Sequence, residues 1–527
     1  MTFYFFRAEA VNMTPTVYDT SDISTIRGAG FYLLDRIHTL SRDPEFHDGL
    51  ITEGASAAVF QFDTDAPKDI RKKMLALLYS DLEKKDRSGN SLKNPAIQGM
   101  TFLVEFMEHK NTFQKTMAAL QGKIRVSQMQ NPTIRIFPET LISSGQSEEG
   151  KDLTFDALNR VLPAHETDGN KGALSRFTKI RRDQGIKLRK KIYGDLLKGH
   201  DIPEKELNFT NDLETLSRGQ GNLNGKIAYI YIDGNKFGKL QSALDQEALK
   251  EFDTVLDDFK KKFLACLIQY AIKTPAFRAP GKYNDLIRLE TLLWGGDEIK
   301  LIVPAWLGWT VATLFFKTAS DLSLGFQDQG LTFAMGMVLA HHTNPIQNLD
   351  DMAGLLVDAV KDGIKAGSPN DHPQYDRARG DRMHYAVLES LETLPQKDFQ
   401  RFTEKQYQTS SRDMALNLET MKALQNFIRI LKAAGFSRSR IHKIATAWLK
   451  EKNKGEAFEY KESLQRGLDL CQADEDLKTD LYHHISNITG TGINETGISS
   501  LIPERGFRWL QIAELWDYLV WEEEQNG

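Results

Sequence analysis

Two short stretches constrain this chain more than any other feature: Tyr231-Ile-Asp-Gly-Asn-Lys-Phe-Gly238 and Leu292-Leu-Trp-Gly-Gly-Asp-Glu-Ile299. Each is a hydrophobic strand that ends in acids. Ile227 to Ile232 is β-branched and aromatic, with Gly225 before it and Gly234 and Gly238 after it, the pattern of a buried strand that leaves Asp233 at its tip. Leu289 to Trp294 and Ile299 to Val303 are two further strand-like runs joined by Gly295-Gly296-Asp297-Glu298. Gly-Gly between such runs predicts a tight hairpin, because glycine takes the positive φ that both turn positions can require. Asp297 and Glu298 then sit on the turn.

Unpaired carboxylates in a dry site are costly, so three converging acids invite a cation, and Mg²⁺ or Mn²⁺ is the hard ion suited to oxygen ligands and phosphates. Two such ions, roughly 3.5–4 Å apart, bring a hydroxyl and an α-phosphate together and neutralise charge on departing pyrophosphate. The plainer alternative is that Asp233 caps the following helix and the glycine turn is an ordinary solvated hairpin.

The pair resembles the palm of GGDEF-type nucleotide cyclases and, more closely, the second palm of the polymerase-like large subunit of type III CRISPR effector complexes. The resemblance implies that Asp233, Asp297 and Glu298 are catalytic and bind the metals, with the Gly234 carbonyl completing the shell. It also places Gly295, Gly296, Asn235 and Phe237 in the nucleotide site, Phe237 matching an aromatic residue that packs beneath. Ala353-Gly-Leu-Leu-Val-Asp-Ala-Val-Lys361 resembles the stretch whose lysine touches the triphosphate, which makes Lys361 the candidate and Lys365 the second. An ammonium there stabilises the charge that builds on pyrophosphate; the alternative is a surface lysine in a helix's last turn. The implied reaction is 3′–5′ bond formation from NTPs, with ATP as substrate, giving a cyclic di- or oligonucleotide. Gly-Gly-Asp-Glu in place of Gly-Gly-Asp-Asp leaves the choice of product open.

Residues 1–145 repeat the pattern: a strand over Thr2–Val11, an apolar helix through Ile37 capped by Ser21 or Ser24, a hairpin over Ile51–Phe62, a helix over Pro67–Leu82, and strands at Thr101–Phe106 and Thr133–Phe137. Together they make a split βαβ sheet resembling the family's first palm. Gly54-Ala55-Ser56-Ala57 replaces the acidic turn, so this palm is expected to hold no catalytic metal. Asp19, Ser21 and Arg27 are its candidates for lining a nucleotide, against the alternative that Ser21 and Asp22 cap a helix and Arg27 pairs with an acid. The glycines of Arg27-Gly-Ala-Gly30 are a weak candidate for bringing backbone N–H groups to a phosphate at a helix start.

The fold class expected is therefore α+β: two ferredoxin-like (split βαβ) palms at 1–145 and 225–395, a basic helical linker at 146–224, and a helical domain at 396–527. With roughly 100–200 residues per domain, 527 residues accommodate them. The linker's basic run from Lys171 to Lys191 reads first as a solvated helix face, with RNA backbone or triphosphate as alternative contacts. The net charge of −5 argues against a general polyanion binder. Many relatives carry a cysteine zinc knuckle in this region, but Leu162 to Asp168 has no cysteine, so no zinc is expected and His165 alone is no ligand. His341-His342 is set aside because neighbouring strand residues face opposite sides. A nuclease His-Asp domain is not expected, since palm-like sequence starts at residue 1.

Two cysteines, no export signal and a longest apolar run, Leu301–Phe316, that includes Pro304 and Gly308 point to a cytoplasmic protein without a membrane span. Its partners would be nucleotide substrates, with RNA or CRISPR-like subunits as further ones. The competing readings are a non-catalytic palm scaffold that grips RNA or a partner subunit, and a diguanylate cyclase, which needs two active palms to meet.

Overall fold

The computed structural model describes residues 2–519 apart from 55, 86–90, 94–99, 111, 132–153, 165, 170, 220, 323–324, 327–328, 366–379, 390–398, 453–457, 472, 495–496 and 500–501. The strand expected at Thr133–Phe137, as well as His165, lies outside the described residues.

The first palm runs β1 (Phe3–Val11), α1 (Ile23–Arg42), β2 (Leu50–Glu53), β3 (Ala57–Asp63), α2 (Pro67–Leu78), β4 (Thr101–Glu108) and α3 (Phe113–Gln130). The antiparallel sheet has the order β2-β3-β1-β4, so β3 separates β1 from β2 as a split βαβ unit requires. α2 stops at Leu78 instead of Leu82, because Ser80–Lys85 pairs as a strand with Ser91–Lys93. The α1 cap is Asp22, whose carboxylate accepts the Thr25 backbone N–H at 3.0 Å. Ser21 stays exposed, and Ser24 already lies inside the helix. An aspartate at this position satisfies a free N–H and meets the positive helix end at once.

The linker helix α4 (Arg176–Leu196) crosses α1 at glycines. A Cβ on Gly28 would lie 1.9 Å from the Arg181 carbonyl oxygen, and one on Gly185 would lie 2.6 Å from that of Ser24. A Cβ on Gly30 would lie 2.6 Å from the Leu292 carbonyl oxygen. The Gly28–Gly30 step is therefore a mid-helix contact between packed backbones, which corrects its reading as a phosphate cradle.

The second palm runs β5 (Lys226–Gly234), α5 (Phe237–Ala243), α6 (Gln246–Lys273), β6 (Glu290–Gly295), β7 (Glu298–Pro304), α7 (Ala305–Asp321), β8 (Phe333–His341), α8 (Ile346–Lys365) and β9 (Arg382–Val387). Its sheet has the same ferredoxin-like order, β6-β7-β5-β8, with β9 added in parallel beside β8. Alternation along β5 sorts the two faces. Ile230 and Ile232 join Leu301, Val303 and Phe333 in a core with α6 and α7. Ile227 and Tyr229 point the other way, into a core shared with Ile26, Ala29 and Leu33 of α1 and with Phe6 and Phe60 of the first sheet. The site face of the second palm is thus the face that meets the first palm.

Helices α9 (Leu418–Ala433), α10 (Arg438–Glu451), α11 (Phe458–Asp469), α12 (Glu475–Thr489) and α13 (Arg508–Leu515) follow. Trp448, Trp509, Trp516 and Tyr518 are buried in a core continuous with that of the second palm. Among the described residues, no helix is long and apolar enough to cross a membrane.

Candidate active site

Register brings the acids together. Ile232 pairs with Ile299 across β5 and β7, so Asp233 and Glu298 are next in line, and Gly295 pairs with Glu298 to close a two-residue turn of Gly296 and Asp297. Only Gly296 takes positive φ, at +54°, in the first central position where a type II′ hairpin demands it. The second glycine of the pair is the one the turn needs, while Gly295 ends the strand. Beyond Asp233 the chain turns through Lys236 at φ 60° into α5, whose N-cap is Lys236 without a side-chain cap. Asp233 therefore does not cap this helix.

Asp233 forms an ion pair with Lys361 of α8. Asp297 is pushed up to about 6, first by burial and then by the charge of Asp233, with Glu298 adding to it and Lys361 opposing it. The site is thus two mutually repelling acids, one of them paired with an ammonium, with more negative charge than that ammonium neutralises. Lys365 ends α8, and its side chain lies outside the described residues.

Glu298 is held back from the pair: the Tyr231 hydroxyl donates to its carboxylate at 2.7 Å. Behind that bond, Lys300 pairs with Asp350 at 2.6 Å, the Tyr229 hydroxyl donates to Asp350 at 2.6 Å, and the Lys300 ammonium lies 4.7 Å from the Tyr231 ring centre. Tyr231, Lys300 and Asp350 escaped the sequence reading. Tyr231 and Lys300 face each other only through strand register, which no local pattern announces.

Among the described residues, no group of three or more His, Cys, Asp or Glu side chains is gathered closely enough to hold a metal ion. The three acids are therefore not gathered into a metal-holding group as they stand, with Glu298 bonded to Tyr231. The donor set still fits a hard ion: Mg²⁺ commonly takes one or two carboxylates and completes its shell with water and substrate phosphates. Asp233 and Asp297 are two such carboxylates in mutual repulsion.

Several predicted contacts belong instead to the frame. Phe237 is buried against Phe252 and Phe333, and a Cβ on Gly234 would lie 2.5 Å from its ring. It supports the Asp233 loop from below, the packing that the resemblance implies for it, and its ring does not line the cavity between the two hairpin turns. Asn235 is buried as well, its amide donating to Thr332 Oγ1 at 3.0 Å and to the Gly380 carbonyl at 2.9 Å, so it ties the loop to neighbouring strands. Arg27 is fully buried and pairs with Glu290, which Arg189 of α4 approaches to 3.3 Å. Asp19 pairs with buried Arg181 at 2.8 Å. The first palm's proposed nucleotide contacts are therefore corrected: Arg27 and Asp19 join the palms and the linker, and only Ser21 is exposed.

The same ion pairs correct the reading of the basic run. Arg181 and Arg189 point inward, and Arg182 meets Asp168 at 2.9 Å, while Lys187, Lys190 and Lys191 keep to the surface. The rings of His341 and His342 lie 4.4 Å apart, because the strand ends at His341, contrary to the expectation of opposite faces.

A cavity of about 400 Å³ opens between the two hairpin turns. Gly295 to Glu298 form one wall, Thr52 to Gly54 with Ser56 and Ala57 of the first palm another, and α6 contributes Asp253 and Lys260. The first palm's turn supplies no side chain longer than serine between Gly54 and Ala57, Ala55 lying outside the described residues.

No protein-family model matches the chain, and no curated protein does. It is similar to solved structures of Csm1. One is an apo Csm1–Csm4 cassette, at 13% identity over 82% of this chain and 62% of that one, with a TM-score of 0.42. Another is a Csm1–Csm4 cassette in complex with pppApApA, at 12% identity over 97% of this chain and 69% of that one, with a TM-score of 0.45. A third is Csm1 in T. onnurineus, at 13% identity over 68% and 52%, with a TM-score of 0.37. The chain spans less than two thirds of the length of the first and third of these.

Proposed function

We propose that this chain is a metal-dependent nucleotidyltransferase that joins NTPs, ATP first among them, into a cyclic di- or oligonucleotide and releases pyrophosphate, in CRISPR-linked or related antiviral defence. The observation that carries the reading is the strand register that sets Asp233 beside the Gly296–Asp297 turn, with Lys361 paired to Asp233; the raised carboxyl of Asp297 agrees with it. Like charges of which one raises the other in a half-buried site invite a divalent ion.

Asp233, Asp297 and the Gly234 carbonyl are the groups that would hold Mg²⁺ or Mn²⁺. When bound, such ions draw negative charge from the α-phosphate and the departing pyrophosphate. Lys361 then exchanges Asp233 for the β- and γ-phosphates, so one cation serves the empty and the filled site. Glu298, positioned by Tyr231, accepts a hydrogen bond from the attacking 3′-hydroxyl and orients it. The cavity between the turns extends the site towards the first palm, whose turn leaves room for a nucleotide where a second acidic hairpin would stand.

A second reading rests on the same ion pair. With Asp233 matched by Lys361 and Glu298 by Tyr231, much of the site is satisfied without substrate, as a non-catalytic scaffold for RNA or partner subunits would be. Incubation of the purified chain with radiolabelled ATP and GTP, Mg²⁺ or Mn²⁺, with and without RNA, separates the two. The enzyme reading predicts products whose masses are those of cyclic 3′–5′ linked nucleotides from wild type and none from Asp233→Ala. No product under any of these conditions supports the scaffold.

A further inference from the structure

We propose that Lys260 and Asp253, both on α6, form a nucleobase-reading pair inside the cavity between the palms, at the opposite end of the nucleotide from Lys361. The inference rests on the nucleotidyltransferase reading and names the residues that would recognise the base at that site.

Lys260 is only 8% exposed. Its ion pair among the described residues is a 4.0 Å approach to Asp257, too long for a hydrogen bond. Burial holds its ammonium below the usual lysine range, opposed by the charges of Asp257, Asp253 and Asp297. Among the described residues the ammonium has no closer acidic partner, and Lys260 lines the cavity, so an acceptor on a ligand there would complete its contacts. Asp253 shows the converse want. Its carboxyl is raised to about 7 by burial, it meets the Glu53 backbone N–H from the first palm, and its Oδ2 has no hydrogen-bond partner. Both residues line the cavity that carries Gly295 to Glu298 on its wall.

The remaining lining decides between ligands. A phosphate beside Lys260 would face Asp257 and Asp253, acids that no metal in the proposed site neutralises, so repulsion disfavours it. A flat apolar ring with an acceptor next to an N–H donor on its edge meets both wants. Leu244, Leu249 and Leu256 from the second palm and Met117 from the first supply apolar surface for its faces. That combination of flat face and donor–acceptor edge is a nucleobase. The first palm closes the pocket, so the base would be enclosed only when the palms are packed together.

The test compares ATP and GTP with inorganic tripolyphosphate, which has the phosphates and no base, by calorimetric titration in Mg²⁺. Wild type should bind one of the nucleotides at least tenfold more tightly than tripolyphosphate. Lys260→Met and Asp253→Asn should each lose most of that advantage and leave tripolyphosphate affinity within twofold. Lys260→Met should keep or raise Tm, since methionine packs the same largely buried stem without a charge that burial disfavours, which verifies folding. Nucleotide affinity unchanged in both variants would overturn the proposal while leaving the nucleotidyltransferase reading intact. An equal loss of tripolyphosphate would show Lys260 to be a phosphate ligand and overturn it as well. If wild type binds neither nucleotide nor tripolyphosphate, the underlying reading fails together with this one.

Discussion

Lys361 of α8 and Asp233 at the end of β5 are joined in an ion pair across the floor of the site, although 128 positions separate them in the chain. The ammonium is the local answer to two neighbouring carboxylates, and it is the group a triphosphate would have to recruit.

Replacing it gives a first prediction. In Lys361→Met the unneutralised Asp233 should cost only about 1 kcal/mol, because both partners are partly solvated. Mn²⁺ should therefore raise Tm more in the variant than in wild type, while ATP affinity falls about tenfold, a difference of ~1.4 kcal/mol. Thermal scans with and without the ion, together with a nucleotide titration, check both. An identical Mn²⁺ response in the two proteins would show that Lys361 does not shield the acids.

The Arg27–Glu290–Arg189 cluster gives a second. Glu290 is 1% exposed and stands between two buried guanidiniums, one on α1 and one on α4. Arg189 also donates to the Thr210 carbonyl and Asn211 Oδ1, both at 3.1 Å. Removing the shared acid in Glu290→Ala strands both cations and should cost about 3–5 kcal/mol in urea unfolding. A loss below ~1 kcal/mol would mean that water reaches the cluster and that it does not lock the palms.

Glu514 supplies a pH dependence. It is half-buried against Tyr385 of β9 and Tyr407, both of which donate to it, yet burial still raises it to about 7 from 4.5. A carboxyl whose folded value exceeds its unfolded one contributes stability below about 4.5 and loses it as pH climbs towards 7. Tm should therefore fall between pH 5 and 7.5 in wild type. Glu514→Gln, which keeps an acceptor and cannot ionise, should show a visibly flatter profile. Parallel profiles would place the titration elsewhere.

What the sequence made legible follows from distance along the chain. Asp233 and the Gly295–Glu298 turn could be read because strand, turn glycine and acid are neighbours, and period-two alternation says which residues face the core. The use of Arg27 could not be read, since Glu290 lies 263 positions away and an arginine early in a helix looks alike whether it meets phosphate or a buried acid. Glu298 was assigned to the metal cage because its Tyr231 partner depends on the pairing of β5 with β7. Lys260 stands in a Lys260-Lys261-Lys262 run, and only the packing of α6 over the cavity distinguishes the buried lysine from its solvated neighbours. Asp253 was hidden in the same way, on a helix whose charged residues all looked like surface ones.

The central claim is that Asp233 and Asp297 together turn a divalent ion and a triphosphate into a reacting pair. Its most direct measure is pyrophosphate released from ATP in Mn²⁺ by wild type, Asp233→Asn and Asp297→Asn, the variants matching the native side chains in size while losing the charge and one of the two acceptor oxygens. The account predicts steady release from wild type and a fall of at least ~10³-fold in each variant. Release that survives in both variants, in protein that unfolds at the same temperature as wild type, would contradict it.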